Sequence, residues 1–191
     1  MTLTGVTVDK TGDGSGDSAD FYGINATVLT SNGAELTVKD ANITSNGAHA
    51  NGVLSYGEGT TVKISDSTIT TTGNTSGGLM TTGGGAMIAD NLTVKTPGNS
   101  SAAIRSDRGS GTVTVNGGSY ESNGVGSPAI YSTADITVNG ANSAKKADVA
   151  LENGSRWTLT GDSYVTSLSG DTGGVDLNGH TLYVDGVAWT K

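Results

Sequence analysis

No cysteine occurs in the 191 residues, so neither a disulfide framework nor a thiolate metal site can form, and the redox compartment is left open. Aromatic residues make up 5% of the chain, with a single phenylalanine, which argues against a conventional aromatic core; prolines number two. Positive charge is scarce: ten Lys and Arg stand against eighteen Asp and Glu, a formal charge of −8. No basic cluster exceeds Lys145-Lys146, so the chain would repel a phosphate backbone and nucleic acid is excluded as the expected partner. Apolar runs never approach the roughly 20 residues that span a bilayer, and no basic segment precedes an apolar one in the manner of a signal peptide. The expectation is a soluble chain without membrane span or signal peptide. The two histidines, His49 and His180, lie too far apart in sequence for a His-x-His or His-Glu-x-x-His zinc motif.

What the chain does contain is glycine, 31 residues of it, with much Thr, Ser, Asn, Val and Ala. That mixture favours turns and β-branched strand positions over helix. A fixed period organises it. Gly47, Gly73, Gly98 and Gly124 each close a Ser/Thr-rich stretch, at spacings of 26, 25 and 26. The same step carries Ile43, Ile69, Val94 and Tyr120, and seven residues before them Leu36, Val62, Met87 and Val113. Val28, Val53, Leu79, Ile104 and Ile130 form a further column that opens each unit. Three short alternating runs per unit, such as "GVLSY", "TVKIS" and "STITT", read as three strands separated by turns. A 25-residue unit cannot bury its own apolar face, so copies must stack. The sequence therefore predicts an all-β, single-domain parallel β-helix of about seven coils, with the apolar columns as internal ladders.

The column after the second strand reads Asp40, Asp66, Asn91, Gly117, Gly140. Glycine adopts positive φ freely, and Asn and Asp at the least cost otherwise, so this column predicts a left-handed turn and not a carboxylate pair. Val8 stands 35 residues before Ile43, and removing Thr11 to Asp20 restores the 25-residue period. That stretch, "TGDGSGDSAD", is expected to be a mobile insertion loop between coils. Its Asp13, Asp17 and Asp20 are the only metal candidates, but an EF-hand loop counted from Asp13 would have Ile24 in place of the closing Glu, and no nine-residue Gly/Asp repeat recurs. No cofactor is expected.

After Asn139 the register fails at "NGANSAKKADVALENGSRW", which reads either as an ordinary irregular connection or as an engineered or evolutionary splice, the latter opening the reading of a trimmed or engineered scaffold. Residues 1–147 are thus assigned to coils, with the insertion at 11–20, and 148–191 to terminal coils and a cap. In the tail, "NGSRWTLTGDSYVTSL" (Asn153 to Leu168) and "GGVDLNGHTLYV" (Gly173 to Val184) resemble the end of autotransporter-type or adhesin-type passenger domains of bacterial surface proteins. The resemblance implies a right-handed β-helix of the pectin-lyase-like kind, an extracellular or cell-surface location, and a largely non-catalytic shaft or adhesive role. Trp157 and Trp189 are expected to cover the open end of the stack.

Enzymatic β-helices need acids, or acids with Arg or Lys, gathered on one face. The best candidate is "IRSDRG", with Arg105, Asp107 and Arg108 near Tyr56, Glu58 and Tyr131, but in the equivalent stretches "LMTTGG" and "IYSTAD" no second carboxylate converges on it. Nor does any G-x-S-x-G elbow occur. Beside an inward column runs Leu29, Leu54, Met80, Arg105, Tyr131, which alternation places outside, either to meet a host or cell-wall glycan or protein or to pack against the insertion. An ice-binding threonine ladder is broken by Lys63 and Ile88 in the column Thr37, Lys63, Ile88, Thr114, Thr137. Tyr56, Arg105, Asp107 and Tyr131 are therefore the candidate ligand surface of a structural or adhesive solenoid, with a glycan-binding or polysaccharide-degrading β-helix as the alternative. Oligomeric state is not encoded in any of these features.

Overall fold

The computed structural model describes residues 1–143, 148–152 and 154–191. Three parallel sheets wrap one core. The first face stacks Thr2–Thr4, Glu35–Lys39, Thr61–Ser65, Ala86–Asp90, Thr112–Asn116, Asp135–Asn139, Arg156–Leu159 and Val175–Asp176. The second stacks Thr7–Lys10, Asn42–Ser45, Thr68–Thr71, Thr93–Thr96, Ser119–Ser122 and Asn142–Ser143. The third stacks Val28–Ser31, Val53–Tyr56, Leu79–Thr82, Ile104–Asp107, Ile130–Ser132, Asp148–Leu151 and Ser167–Gly170. The result is a parallel β-solenoid of about five turns at the 25-residue period, with shorter coils following.

The strand register reproduces the sequence columns. Leu36 pairs with Val62, Val62 with Met87 and Met87 with Val113 on the first face. Val8, Ile43, Ile69, Val94 and Tyr120 are consecutive partners on the second, and Val28, Val53, Leu79, Ile104 and Ile130 on the third. Nearly all these side chains belong to one buried cluster. Truncating one, as in Ile69→Ala, removes buried methylenes that neighbours on both sides hold in place, a loss of about 2–5 kcal/mol.

Turns follow the backbone demands of each column. Asp40, Asp66, Asn91, Gly117 and Gly140 all have positive φ, between 49° and 66°, which accounts for the mixed residue types. The Gly47, Gly73, Gly98, Gly124 column has a different cause. A Cβ on Gly73 would fall on the carbonyl oxygen of Gly47, one on Gly98 on that of Gly73, and one on Gly124 on that of Gly98. Close backbone stacking between coils, not backbone conformation, requires glycine there. Just beyond, buried serines link the coils: Ser101 Oγ accepts the Ser76 N–H (3.0 Å) and donates to the Gly73 carbonyl (3.2 Å), and Ser127 Oγ does the same for Ser101 N–H (2.9 Å) and the Gly98 carbonyl (2.8 Å).

Where seven similar coils are expected, the period shortens after the fifth turn. Ile136 pairs with Trp157 after 21 residues, and Trp157 with Val175 after 18. The second face ends at Asn142–Ser143; in the next coil the strand that follows Arg156–Leu159 of the first face, Ser163–Val165, pairs instead with Leu182–Val184, which Val187–Trp189 joins antiparallel. This hairpin is the cap. Trp189 lies in it, partly buried against the core, but Trp157 does not cover the end: it continues the inward column of the first face and is buried. The junction residues 144–147 lie outside the described residues.

Candidate functional site

The insertion, expected as a mobile loop, lies along the outside of the third face. It contains a short helix, Gly16–Asp20, whose Ala19 is fully buried. Beneath it, Leu54 and Met80 point away from the internal cluster yet have no exposed surface. A Cβ on Gly23 would strike the methyls of Leu29 and Leu54, so the chain passes directly over them. In the outward stripe Leu29, Leu54, Met80, Arg105, Tyr131, the segment that follows the insertion thus covers Leu54 and part of Leu29 through Gly23 and meets Arg105 through Phe21.

The three metal candidates are not gathered. Asp13 Oδ1 accepts the Ala48 N–H at 2.8 Å, Asp17 pairs with Arg108 at 2.6 Å, and Asp20 Oδ1 lies 2.6 Å from His49 Nδ1. Asp13 and Asp20 fasten the insertion to the same turn, at the adjacent residues Ala48 and His49, and Asp17 fastens it to Arg108. Among the described residues no three His, Cys, Asp or Glu side chains converge. Neutral groups complete the attachment. Gly14 N–H donates to the Ala48 carbonyl (2.8 Å), Thr82 Oγ1 to that of Phe21 (2.6 Å), and Asn25 Nδ2 to Gly12 (3.3 Å). Fully buried Asn51 donates to the Asp20 carbonyl at 3.3 Å while its Oδ1 accepts the Gly77 N–H at 2.9 Å, bridging insertion and coil.

The candidate ligand residues sit at the edge of this attachment. Arg105 Nη2 is 2.6 Å from Asp107 Oδ2, and both side chains are only 13% exposed. Asp107 Oδ1 accepts the Arg108 N–H at 2.8 Å, so both carboxylate oxygens are occupied. Arg105 lies between the rings of Phe21 (5.4 Å) and Tyr131 (5.6 Å), and Arg108 stands 3.8 Å over Phe21. Tyr131 donates to Glu152 Oε2 (3.0 Å); its pKa is pushed up to about 12, first by burial and then by that hydrogen bond and the neighbouring acids. Tyr56 packs edge-on against Tyr22, ring centroids 5.5 Å apart. Arg105, Asp107 and Tyr131 are therefore brought together, whereas Tyr56 packs on Tyr22. A groove of about 230 Å³ runs beside them, lined by Thr75, Ser100, Ala102, Arg105, Gly126, Pro128 and Tyr131.

Chemically, this is a clasp: Asp107 and Asp17 are each paired with a guanidinium, and Glu152 accepts from Tyr131. Phe21, Asn25, His49 and Asn51, which hold the insertion, carry no periodic signal. The one available clue is that the chain's single phenylalanine directly follows the insertion.

The fold and its clasp define a parallel β-solenoid with one coil insertion packed along its outer face. No family model matches the chain, and neither a curated protein nor a solved structure matches it.

Proposed function

We propose that this solenoid is a non-catalytic structural or adhesive module of a bacterial cell-surface or secreted protein. The observation that carries the reading is the state of the charged patch beside the insertion: Arg105, Asp107, Arg108 and Asp17 are engaged with one another and with Phe21, holding the insertion down. A stack of in-register coils with its charged groups used in this way suits a shaft that presents or spaces other surfaces. The tail's resemblance to passenger domains supports the location. Display of the chain as a spacer or coat should confer attachment or reach without turnover of any polysaccharide. A substrate-specific lyase or hydrolase activity in purified protein, lost in Asp107→Asn, would sink the proposal.

The glycan-binding alternative is favoured by one observation, the groove beside Arg105 and Tyr131. It predicts glycan-array binding that Arg105→Ala abolishes. Binding that is indifferent to Arg105→Ala, or no binding at all, removes it.

A further inference from the structure

Eight Asn-Gly pairs occur in the chain, and all but Asn153-Gly154 lie wholly within the described residues. Such a pair can modify itself. The backbone nitrogen of the glycine attacks the side-chain carbonyl carbon of the asparagine, the amide nitrogen leaves as ammonia, and a succinimide ring closes. Water then opens either carbonyl of the ring, giving aspartate or isoaspartate, and in isoaspartate the main chain runs through the former side chain. Glycine favours the attack because no side chain shields its nitrogen or restricts its backbone.

In every described pair but one, a hydrogen bond holds at least one of the two reacting groups. Asn51 is fully buried and bonded through both side-chain atoms, and its Gly52 N–H donates to the Gly77 carbonyl at 2.9 Å. Asn139 Nδ2 donates to Asn116 Oδ1 and Asn116 Nδ2 to Asp90 Oδ1, both at 2.6 Å, so one chain of bonds holds two pairs. Gly33 N–H donates to Thr60 Oγ1 (3.0 Å), and the side chains of Asn178 and Asn123 donate to the Leu159 carbonyl (3.1 Å) and to Glu121. Asn46-Gly47 is the exception. Among the described residues neither the exposed Asn46 side chain nor the Gly47 N–H has a hydrogen-bond partner. Asn46 also borders an open groove of about 310 Å³ together with Asp9, Lys10 and Thr44, so water reaches it. Asn123 is the matched comparison: it precedes the stacked Gly124 as Asn46 precedes the stacked Gly47, but its amide is held by Glu121.

We propose that Asn46-Gly47 is a self-modification site whose isoaspartyl form releases the insertion from the stack. The place of the pair gives the product its effect. A Cβ on Gly47 would fall 2.1 Å from the Gly12 carbonyl oxygen, so this turn and the start of the insertion touch with no spare room. The next two residues anchor the same segment: Ala48 N–H donates to Asp13 Oδ1 and its carbonyl accepts the Gly14 N–H, both at 2.8 Å, and His49 Nδ1 lies 2.6 Å from Asp20 Oδ1. Isoaspartate inserts a methylene carbon into the main chain immediately before these anchors, which shifts Ala48 and His49 away from Asp13 and Asp20. Ordinary aspartate leaves the main chain at its original length and keeps them in place.

Peptide mapping by mass spectrometry of the whole chain, aged in mildly alkaline buffer, reads each pair separately. In the folded chain Asn46 should convert before the other described pairs, and about fivefold faster than Asn123, the factor that one net hydrogen bond supplies. Glu121→Ala should bring Asn123 up toward the rate of Asn46, and in urea the two should convert alike. A folded rate for Asn46 no higher than that of Asn123, earlier conversion of any other described pair, or the same ordering in urea would overturn the site. Hydrogen exchange reads the release. The purified chain carrying isoaspartate at position 46 should exchange faster at residues 13–20 than the unmodified chain, and Asn46→Asp should not. Unchanged exchange in the isoaspartyl chain, or an equal rise in Asn46→Asp, would overturn the release.

Discussion

Arg108 reaches across 91 residues to place its Nη1 2.6 Å from Asp17 Oδ2, with its guanidinium 3.8 Å over the Phe21 ring. The pair is half-exposed, 48% and 59%, so its Coulomb term is screened and contributes under about 1 kcal/mol. The cation–π contact adds about 0.5–1 kcal/mol. Arg108→Ala should therefore leave the melting temperature almost unchanged while raising hydrogen exchange at residues 13–22. A large fall in melting temperature would show that the insertion is part of the cooperative core.

Stacked glycines make a sharper prediction. Gly73→Ala puts a methyl group on the Gly47 carbonyl and must push two coils apart, at a cost of about 2–3 kcal/mol or more. Gly161→Ala, where a Cβ meets nothing within 4 Å and φ is ordinary, should be close to neutral. Urea denaturation of the two variants checks this, and equal midpoints would refute the stacking explanation.

The Asp66 turn separates a backbone role from a chemical one. With φ at 49°, Asp66→Gly should be neutral or stabilising, and Asp66→Val should cost about 1–2 kcal/mol. Loss of stability in both variants would point to the carboxylate, whose Oδ1 accepts from Asn91 Nδ2 at 2.9 Å, and not to the backbone.

Stability should fall in alkali through Tyr131. Its folded pKa of about 12 lies above the ordinary value of 10, so the folded state keeps the proton that the unfolded chain has lost. The contribution is fully present below pH 10 and is lost as pH rises from about 10 to 12. Denaturation between pH 9 and 12 should show this slope, and Tyr131→Phe should reduce it, leaving the part that comes from Tyr120, which burial also holds protonated. Identical slopes in the two proteins would contradict the assignment.

How much was legible beforehand depended on whether a residue repeats. Leu36, Val62, Met87 and Val113 announce their pairing because stacking forces like side chains to recur every 25 or 26 residues. The insertion's length was legible for the same reason, since Val8 and Ile43 pair once residues 11–20 are set aside. Its conformation was not. His49 against Asp20 and Asn51 against the Asp20 carbonyl occur once each, between residues whose spacing follows no period.

The sequence by itself determined the coil, its three strands, its inward ladders and its left-handed turns, because each is imposed by a local backbone requirement repeated from copy to copy. Only the tertiary structure decided that Leu54 and Met80 are covered, that Asp13, Asp17 and Asp20 each hold the insertion to the stack, and that Tyr120 and Trp157 line one cavity. Those outcomes turn on where one non-repeating segment lies over the stack and on where the coil narrows. Both are set by packing between residues distant in the chain, which a period cannot record.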